Sequence, residues 1–251
     1  MTTKRGKTQR YECKTCHKTF TKRTGTLNYR HRKQHLRDKI TGLYCEGMSL
    51  RAISRYLKIN FKTVVRYFLE NADEAWLNNQ RRLSQGGIKT TYVQFDELET
   101  FEHTKKKPLG VQVSIRAKTG EIIETRVCKI PVKALAVSQS YIRDWNSNID
   151  RSHKLFEMLW NTKRALNKTH ATIACDKARS AVKVAEDVFF ENNFQVYASK
   201  ERNKRIDLTF LKMRQDISRL RRRTLAITKR RDNLQKHLDL YTDYHNTKRI
   251  A

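Results

Sequence analysis

The order in which strand-like and helix-like runs follow one another between residues 91 and 200 leaves this chain few ways to fold. Thr91–Phe95 is a short β-branched and aromatic run. Leu109–Ala117 and Glu121–Lys129 alternate apolar residues on either side of Lys118-Thr119-Gly120, so they read as a hairpin. Helical spacing covers Lys133–Asn146 and Ser152–Leu166. Thr172–Cys175 is a small buried-type strand, Ala178–Phe190 a helix and Phe194–Ala198 a last strand. Three strands, then helices alternating with strands, make an α/β order with a mixed sheet.

Two of these strands deliver an acid at their ends. Asp96 follows Tyr92-Val93-Gln94-Phe95, and Asp176 follows Thr172-Ile173-Ala174-Cys175. In an α/β sheet the carboxyl ends of adjacent strands converge, so both aspartates are candidates to bind one hard cation, Mg²⁺ or Mn²⁺. A third acid from the following helical segment would complete a pair of cation sites about 4 Å apart, suited to in-line displacement at phosphorus. Strand-end aspartates also cap and form turns, so the pair alone does not decide between chemistry and structure. The α/β order and the strand-end acids together suit an RNase H-like core.

Charge narrows the partner. Lys+Arg 54 against Asp+Glu 25 gives a formal net charge of +29, with a sequence pI near 10.2. A surface this basic displaces counterions from phosphates, which predicts salt-dependent binding to nucleic acid. The opening MTTKRGKTQRY lacks the apolar core of a signal peptide, and no run approaches a membrane span of roughly 18 apolar residues. The expectation is a cytoplasmic protein. Five cysteines, an odd number, fit a reducing compartment, and Cys45, Cys128 and Cys175 sit in apolar or helical surroundings that predict burial.

Ahead of the α/β region lie two smaller units. In residues 1–35, Tyr11-x-Cys13-x2-Cys16-x3-Phe20 precedes His31-x3-His35. Two thiolates on a knuckle and two histidines one helical turn apart are able to close a tetrahedral Zn²⁺ site. His31 and His35, set among Arg30, Arg32 and Lys33, equally suit a basic helix face against phosphate. Residues 36–87 read as helix-turn-helix: a helix over Leu36–Cys45, a second capped by Ser49 with Leu50, Ile53 and Leu57, a turn at Lys58-Ile59-Asn60, and a third helix with Val64, Val65 and Phe68 inward. Asn60, Lys62, Thr63, Arg66 and Tyr67 are then left for a DNA major groove. One more helix, with Trp76 and Leu77, runs to Gly86-Gly87, the expected domain boundary. Residues 201–251 read as a basic helical tail, with 211–251 as its C-terminal region beyond the α/β domain; Leu208, Leu211, Ile217, Leu220, Leu225, Leu234, Leu238 and Tyr241 recur along it at helical spacing. Arg219, Arg221, Arg222 and Arg223 are candidates to clamp phosphates.

Four stretches read together resemble a known family: Thr8–Cys16 with Phe20, Leu43–Ile53, the FDELETF segment, and ASKERNKRIDLTFLKMRQDISRL. They are similar to bacterial insertion-sequence transposases of the IS-one type, over nearly the whole chain. The resemblance implies a zinc-binding and helix-turn-helix part ahead of a DDE catalytic domain of RNase H-like fold, spanning 88–210. It implies metal-dependent cleavage and strand transfer of an element bounded by terminal inverted repeats, on double-stranded DNA that includes a target. A homo-oligomer on DNA and a nucleoid-associated location in a bacterial cytoplasm belong to the same expectation. Asp96 matches the first family aspartate and Asp176 the second. Matches at Ser199-Lys200, Arg205-Ile206, Arg214-Gln215 and Thr224-Leu225 place Asp207 where the family has its final glutamate, one methylene longer. Glu201 and Asp216 are the other acids available for that role. The first cysteine pair of the family's ribbon and a glycine after Asp176 are missing. Two further classes compete with the enzyme: a DNA-binding protein without catalysis, and a structural RNA-binding protein, for which strand-end acids behind a helix-turn-helix would serve no purpose.

Overall fold

The computed structural model describes residues 9–26, 29, 33–86, 89–132, 138–166, 170–191, 193–198, 204–221 and 228–249. A two-stranded hairpin, β1 (Tyr11–Glu12) and β2 (Thr19–Phe20), leads through a 3₁₀ turn at Gln34–Leu36 into three helices, α1 (Arg37–Cys45), α2 (Leu50–Tyr56) and α3 (Phe61–Ser84). Three strands follow, β3 (Tyr92–Phe101), β4 (Pro108–Arg116) and β5 (Ile122–Lys129). Then come α4 (Gln139–Ser147), α5 (Arg151–Lys163), β6 (Ala171–Cys175), α6 (Arg179–Val188), β7 (Phe194–Ala198), α7 (Lys204–Asp216) and α8 (Arg231–Tyr244).

The sheet has the order β5-β4-β3-β6-β7. β4 runs antiparallel to β3 and β5, while β6 and β7 run parallel to β3 and to each other. This is the mixed RNase H-like sheet expected from the element order. Alternation along the strands divides the core. On one face Val93, Phe95 and Ile173 pack with Leu155, Leu159 and Val188 of α5 and α6. On the other, Leu98, Val111 and Val113 pack with Ile206 and Phe210 of α7, Leu234 and Leu238 of α8, and Ile40, Ile53, Val64 and Phe68 of the first three helices. Burying each such side chain contributes about 2 kcal/mol, so the first three helices and the sheet's second face stabilise one another through a shared core.

Local signals explain the helix starts. The Ser49 hydroxyl accepts from Ala52 N at 3.2 Å, and Asn60 Oδ1 accepts from Lys62 N at 2.8 Å. Both are N-caps that satisfy otherwise unpaired amides. Lys58, at φ +50°, turns the chain between α2 and α3. At the β4–β5 turn Gly120 takes φ +80°, a conformation glycine adopts without strain.

Several expectations are corrected. β3 does not end at Phe95: pairing with β4 runs through Phe101↔Pro108, so Asp96 lies mid-strand opposite Val113. The antiparallel partner supplies hydrogen bonds that the charged FDELETF segment does not advertise. The third helix and the expected separate helix beyond residue 71 are one helix of 24 residues, with no glycine or proline inside to break it. Tyr67, expected in a groove, is fully buried in the shared core, and Val65 is only half-buried. In α7 the core takes Ile206, Phe210 and Met213, leaving Leu208 and Leu211 exposed. Leu225 and Gly87 lie outside the described residues. Cys45, Cys128 and Cys175 are buried thiols outside any disulfide, and their burial is what their surroundings predicted. Among the described residues no helix is long and apolar enough to cross a membrane.

Candidate active site and nucleic-acid surfaces

The site forms where β3 loses its parallel neighbour. Pairing between β3 and β6 stops at Gln94↔Ala174; two residues further along each strand stand Asp96 and Asp176. Asp207 approaches from the opposite direction, in the first turn of α7. That turn is pinned to β3, because Ile206 N donates to Gln94 Oε1 at 3.1 Å and Gln94 lies on the same strand face as Asp96. Burial pushes the Asp96 carboxyl up to about 6. The charges of Asp176, Asp207 and Glu97 push the same way, opposed by the Glu97 amide that donates to Asp96 Oδ1 at 2.7 Å. Asp176 and Asp207 thus lie near enough for their charges to act on Asp96. Of the other acids, Asp216 sits at the far end of α7 and its Oδ2 accepts from Tyr241 Oη at 2.8 Å, while Glu201 lies outside the described residues.

The donors suit a hard divalent cation in kind, being carboxylate oxygens alone, and a cation among them would offset both the desolvation and the repulsion that raise Asp96. They are not gathered into a finished cage: among the described residues no group of three or more His, Cys, Asp or Glu is close enough to hold a metal ion. Asp96 and Asp176 each face a neighbouring amide, Asp176 Oδ1 accepting from Lys177 N at 2.7 Å.

The other face of β3 holds residues that the sequence reading passed over. A cavity of about 200 Å³ is lined by Asp96, Asp176, Glu97, Gln112, Arg151 and Ser180, among others. Glu97 Oε2 accepts from Arg151 Nε at 3.1 Å and from Gln112 Nε2 at 3.3 Å, with Cys128 Sγ 3.6 Å away. Gly110 makes room for this group, since a Cβ there would lie 2.7 Å from Glu97 Cδ and 2.8 Å from Cys128 Sγ. Arg151 is 54 residues from Glu97 in sequence, and no local pattern ties the two together.

The candidate DNA contacts divide. Lys62 and Arg66 are exposed and Thr63 half-exposed along α3, and Arg66 reaches Glu70 at 4.0 Å. Asn60 spends its side chain on the cap. Arg219 donates from Nε to His237 Nε2 at 2.7 Å, and Arg221 donates to Gln215 O at 2.6 Å, so both bind within the protein. Arg222 and Arg223 lie outside the described residues. In the N-terminal hairpin Cys13 and Cys16 share one tight turn, and the Cys16 and Thr15 amides hold the Cys13 thiol below its ordinary range. His35 is exposed in the 3₁₀ turn, and His31 lies outside the described residues.

No family model matches the chain, and no curated protein matches it. Among solved structures it is similar to the Mos1 strand transfer complex, with 12% identity over 85% of this chain and 75% of that chain, at a TM-score of 0.36. The Mos1 transposase paired-end complex with the left transposon end gives 12% over 85% and 75%, at 0.33. The Mos1 mariner paired-end complex with Mn gives 11% over 85% and 76%, at 0.31. These likenesses are too slight to carry a residue or an activity to this chain.

Proposed function

We propose that this chain is a DNA transposase of the DDE kind, which binds the ends of a DNA element and catalyses metal-dependent strand cleavage and strand transfer. One observation supports the reading: Asp96 is a half-buried carboxylate with Asp176, Asp207 and Glu97 as its charged neighbours, on a strand that pairs with β6 and packs against α7. A partly desolvated acid kept among acids is a candidate cation site. Asp96, Asp176 and Asp207 are the residues that would hold Mg²⁺ or Mn²⁺. Bound there, such ions activate the attacking water or 3′-hydroxyl and offset charge on the leaving oxygen. Lys62, Thr63 and Arg66 of α3 lie on the face that enters a groove, and the strong positive charge supplies the salt-dependent hold on phosphates. Cys13 and Cys16 are the proposed Zn²⁺ ligands of the N-terminal hairpin, with His31 and His35 completing four.

The aspartates' present hydrogen bonds favour a second reading, a DNA-binding protein in which the site no longer closes. A Mg²⁺-dependent nicking assay on DNA carrying the element's ends separates the two. Activity in wild type that Asp96→Asn and Asp176→Asn both abolish supports the enzyme. Inactivity in all three, with site-specific binding retained, establishes the second reading.

A further inference from the structure

We infer that Arg151, held in place by Glu97, is a phosphate-positioning residue: the cavity beside Asp96 and Asp176 is an anion subsite that seats a phosphodiester of the DNA substrate. This rests on the transposase reading for its substrate, though not for its geometry.

Arg151 opens α5 and lines the cavity, its side chain 37% exposed against 13% for Glu97. Its Nε is committed to Glu97 Oε2, which fixes the plane of the guanidinium. Among the described residues neither Nη atom has a hydrogen-bond partner, so the outer edge of the fork remains available. A planar fork with one side anchored and two donors presented is the arrangement that binds a phosphate bidentately. Two further features face the same space. Ala178, Ser180 and Ala181 bring the start of α6 to the cavity wall, and α6 has no side-chain cap, so its first amides and their partial positive charge are left for an anion. Gln112 is 1% exposed and lines the cavity, yet its Oε1 has no partner. Its Nε2 is spent on Glu97 and on Arg151 O at 2.9 Å, which fixes the amide with its oxygen as the acceptor. Left alone that oxygen costs about 1–3 kcal/mol; a hydroxyl or bound water accompanying a phosphodiester would satisfy it.

Glu97 has a second role here. Alone among acids, an arginine in this cavity would be drawn to Asp96 or Asp176 and would neutralise the proposed cation site. By pairing with Nε, Glu97 holds Arg151 on the α5 side of β3 and keeps it as an anion receptor.

The test uses the full chain and inorganic phosphate in metal-free buffer at pH 7, with binding read by ³¹P line broadening. Arg151→Ala is expected to bind at least roughly tenfold more weakly than wild type, with Arg151→Lys between them. Lys118→Ala, which removes an exposed charge at the β4–β5 turn, is expected to bind as wild type does. In the nicking assay Arg151→Ala is expected to lose about a hundredfold in kcat/KM, and added guanidinium ion is expected to restore part of it, which a merely structural role would not allow. Glu97→Gln keeps the side chain's shape and is expected to weaken phosphate binding as well. Phosphate binding unchanged in Arg151→Ala, or nicking that is lost without guanidinium rescue, overturns the inference. If wild type does not nick DNA but its phosphate binding still depends on Arg151, the subsite stands and the enzyme reading alone falls.

Discussion

Asp96 and Glu97 are neighbours on one strand, and their surroundings are opposites. Asp96 faces α7, half-buried, receiving one backbone amide and the repulsion of Asp176 and Asp207. Glu97 faces α5, where Arg151 and Gln112 both donate to a single oxygen. Adjacent acids on a strand always diverge to opposite faces, so the two cannot have been placed by one requirement. The difference lies in their partners: Glu97 receives the side chains of Arg151 and Gln112, Asp96 a backbone amide, and on the transposase reading a cation would supply what Asp96 lacks.

The largest effect that would break this comparison is on chemistry. Asp96→Asn is expected to lower Mg²⁺-dependent nicking by on the order of 10³-fold, equivalent to about 4 kcal/mol in the barrier. The same variant, melted in EDTA at pH 7, is expected to be at least as stable as wild type, because it removes a half-buried charge whose charged neighbours among the described residues are acids. A loss of stability comparable to a core deletion would show Asp96 to be structural.

Next is Gly110→Ala, aimed at the other side. Its Cβ would meet Glu97 Cδ at 2.7 Å and Cys128 Sγ at 2.8 Å. Neither neighbour is a free side-chain end, because Glu97 is tied to Arg151 and Cys128 is buried. Urea unfolding is expected to show a loss of about 1–3 kcal/mol. No loss would mean that the Glu97 group has slack and does not fix Arg151.

How much of this was legible follows the same division. The strand order, the Ser49 cap and the hairpin at Gly120 were readable because each is local. The meeting of Asp96 with Asp176 was also readable, since parallel strands of known order bring their carboxyl ends together. The extent of β3 was not, because the acids of FDELETF weaken the strand pattern and only β4 restores it. Tyr67 and the choice of Ile206 over Leu208 escaped for a different reason. Both helices carry more than one apolar stripe, and the side that is covered depends on where α8 packs on α3 and β3 on α7, which no local period encodes. The Glu97–Arg151 pair is a contact across 54 residues between two charged residues that, read singly, look like solvated surface.

A smaller effect sharpens the electrostatics. Asp96 titrates at about 6 in the folded chain against an ordinary 3.8. Between these values the folded state keeps a proton that the unfolded chain has released, so Asp96 makes stability fall as pH rises across that window and leaves it constant above. After solvent screening the loss is about 2 kcal/mol. Asp239, pushed up to about 7 by burial, and Glu124 and Asp243, also raised by burial, act in the same direction. The readout is therefore the difference between wild type and Asp96→Asn in chemical denaturation from pH 4 to pH 7, in EDTA. A difference that does not change with pH would remove the case for an uncompensated carboxylate.

The smallest effect asks directly what completes Asp96. If a divalent cation is the missing partner, it binds the folded chain and not the unfolded one, and stabilises it in proportion to the logarithm of its concentration. At tenfold above its dissociation constant Mg²⁺ is expected to add about 1.4 kcal/mol, some 3 °C in Tm for a chain of this size. The increment should vanish in Asp96→Asn and persist in Glu97→Gln, since Glu97 is already satisfied by Arg151. It should also shrink as pH falls through about 6, where a proton competes for Asp96. An increment equal in both variants would place the cation elsewhere on the protein, and the two faces of β3 would then differ in burial without differing in purpose.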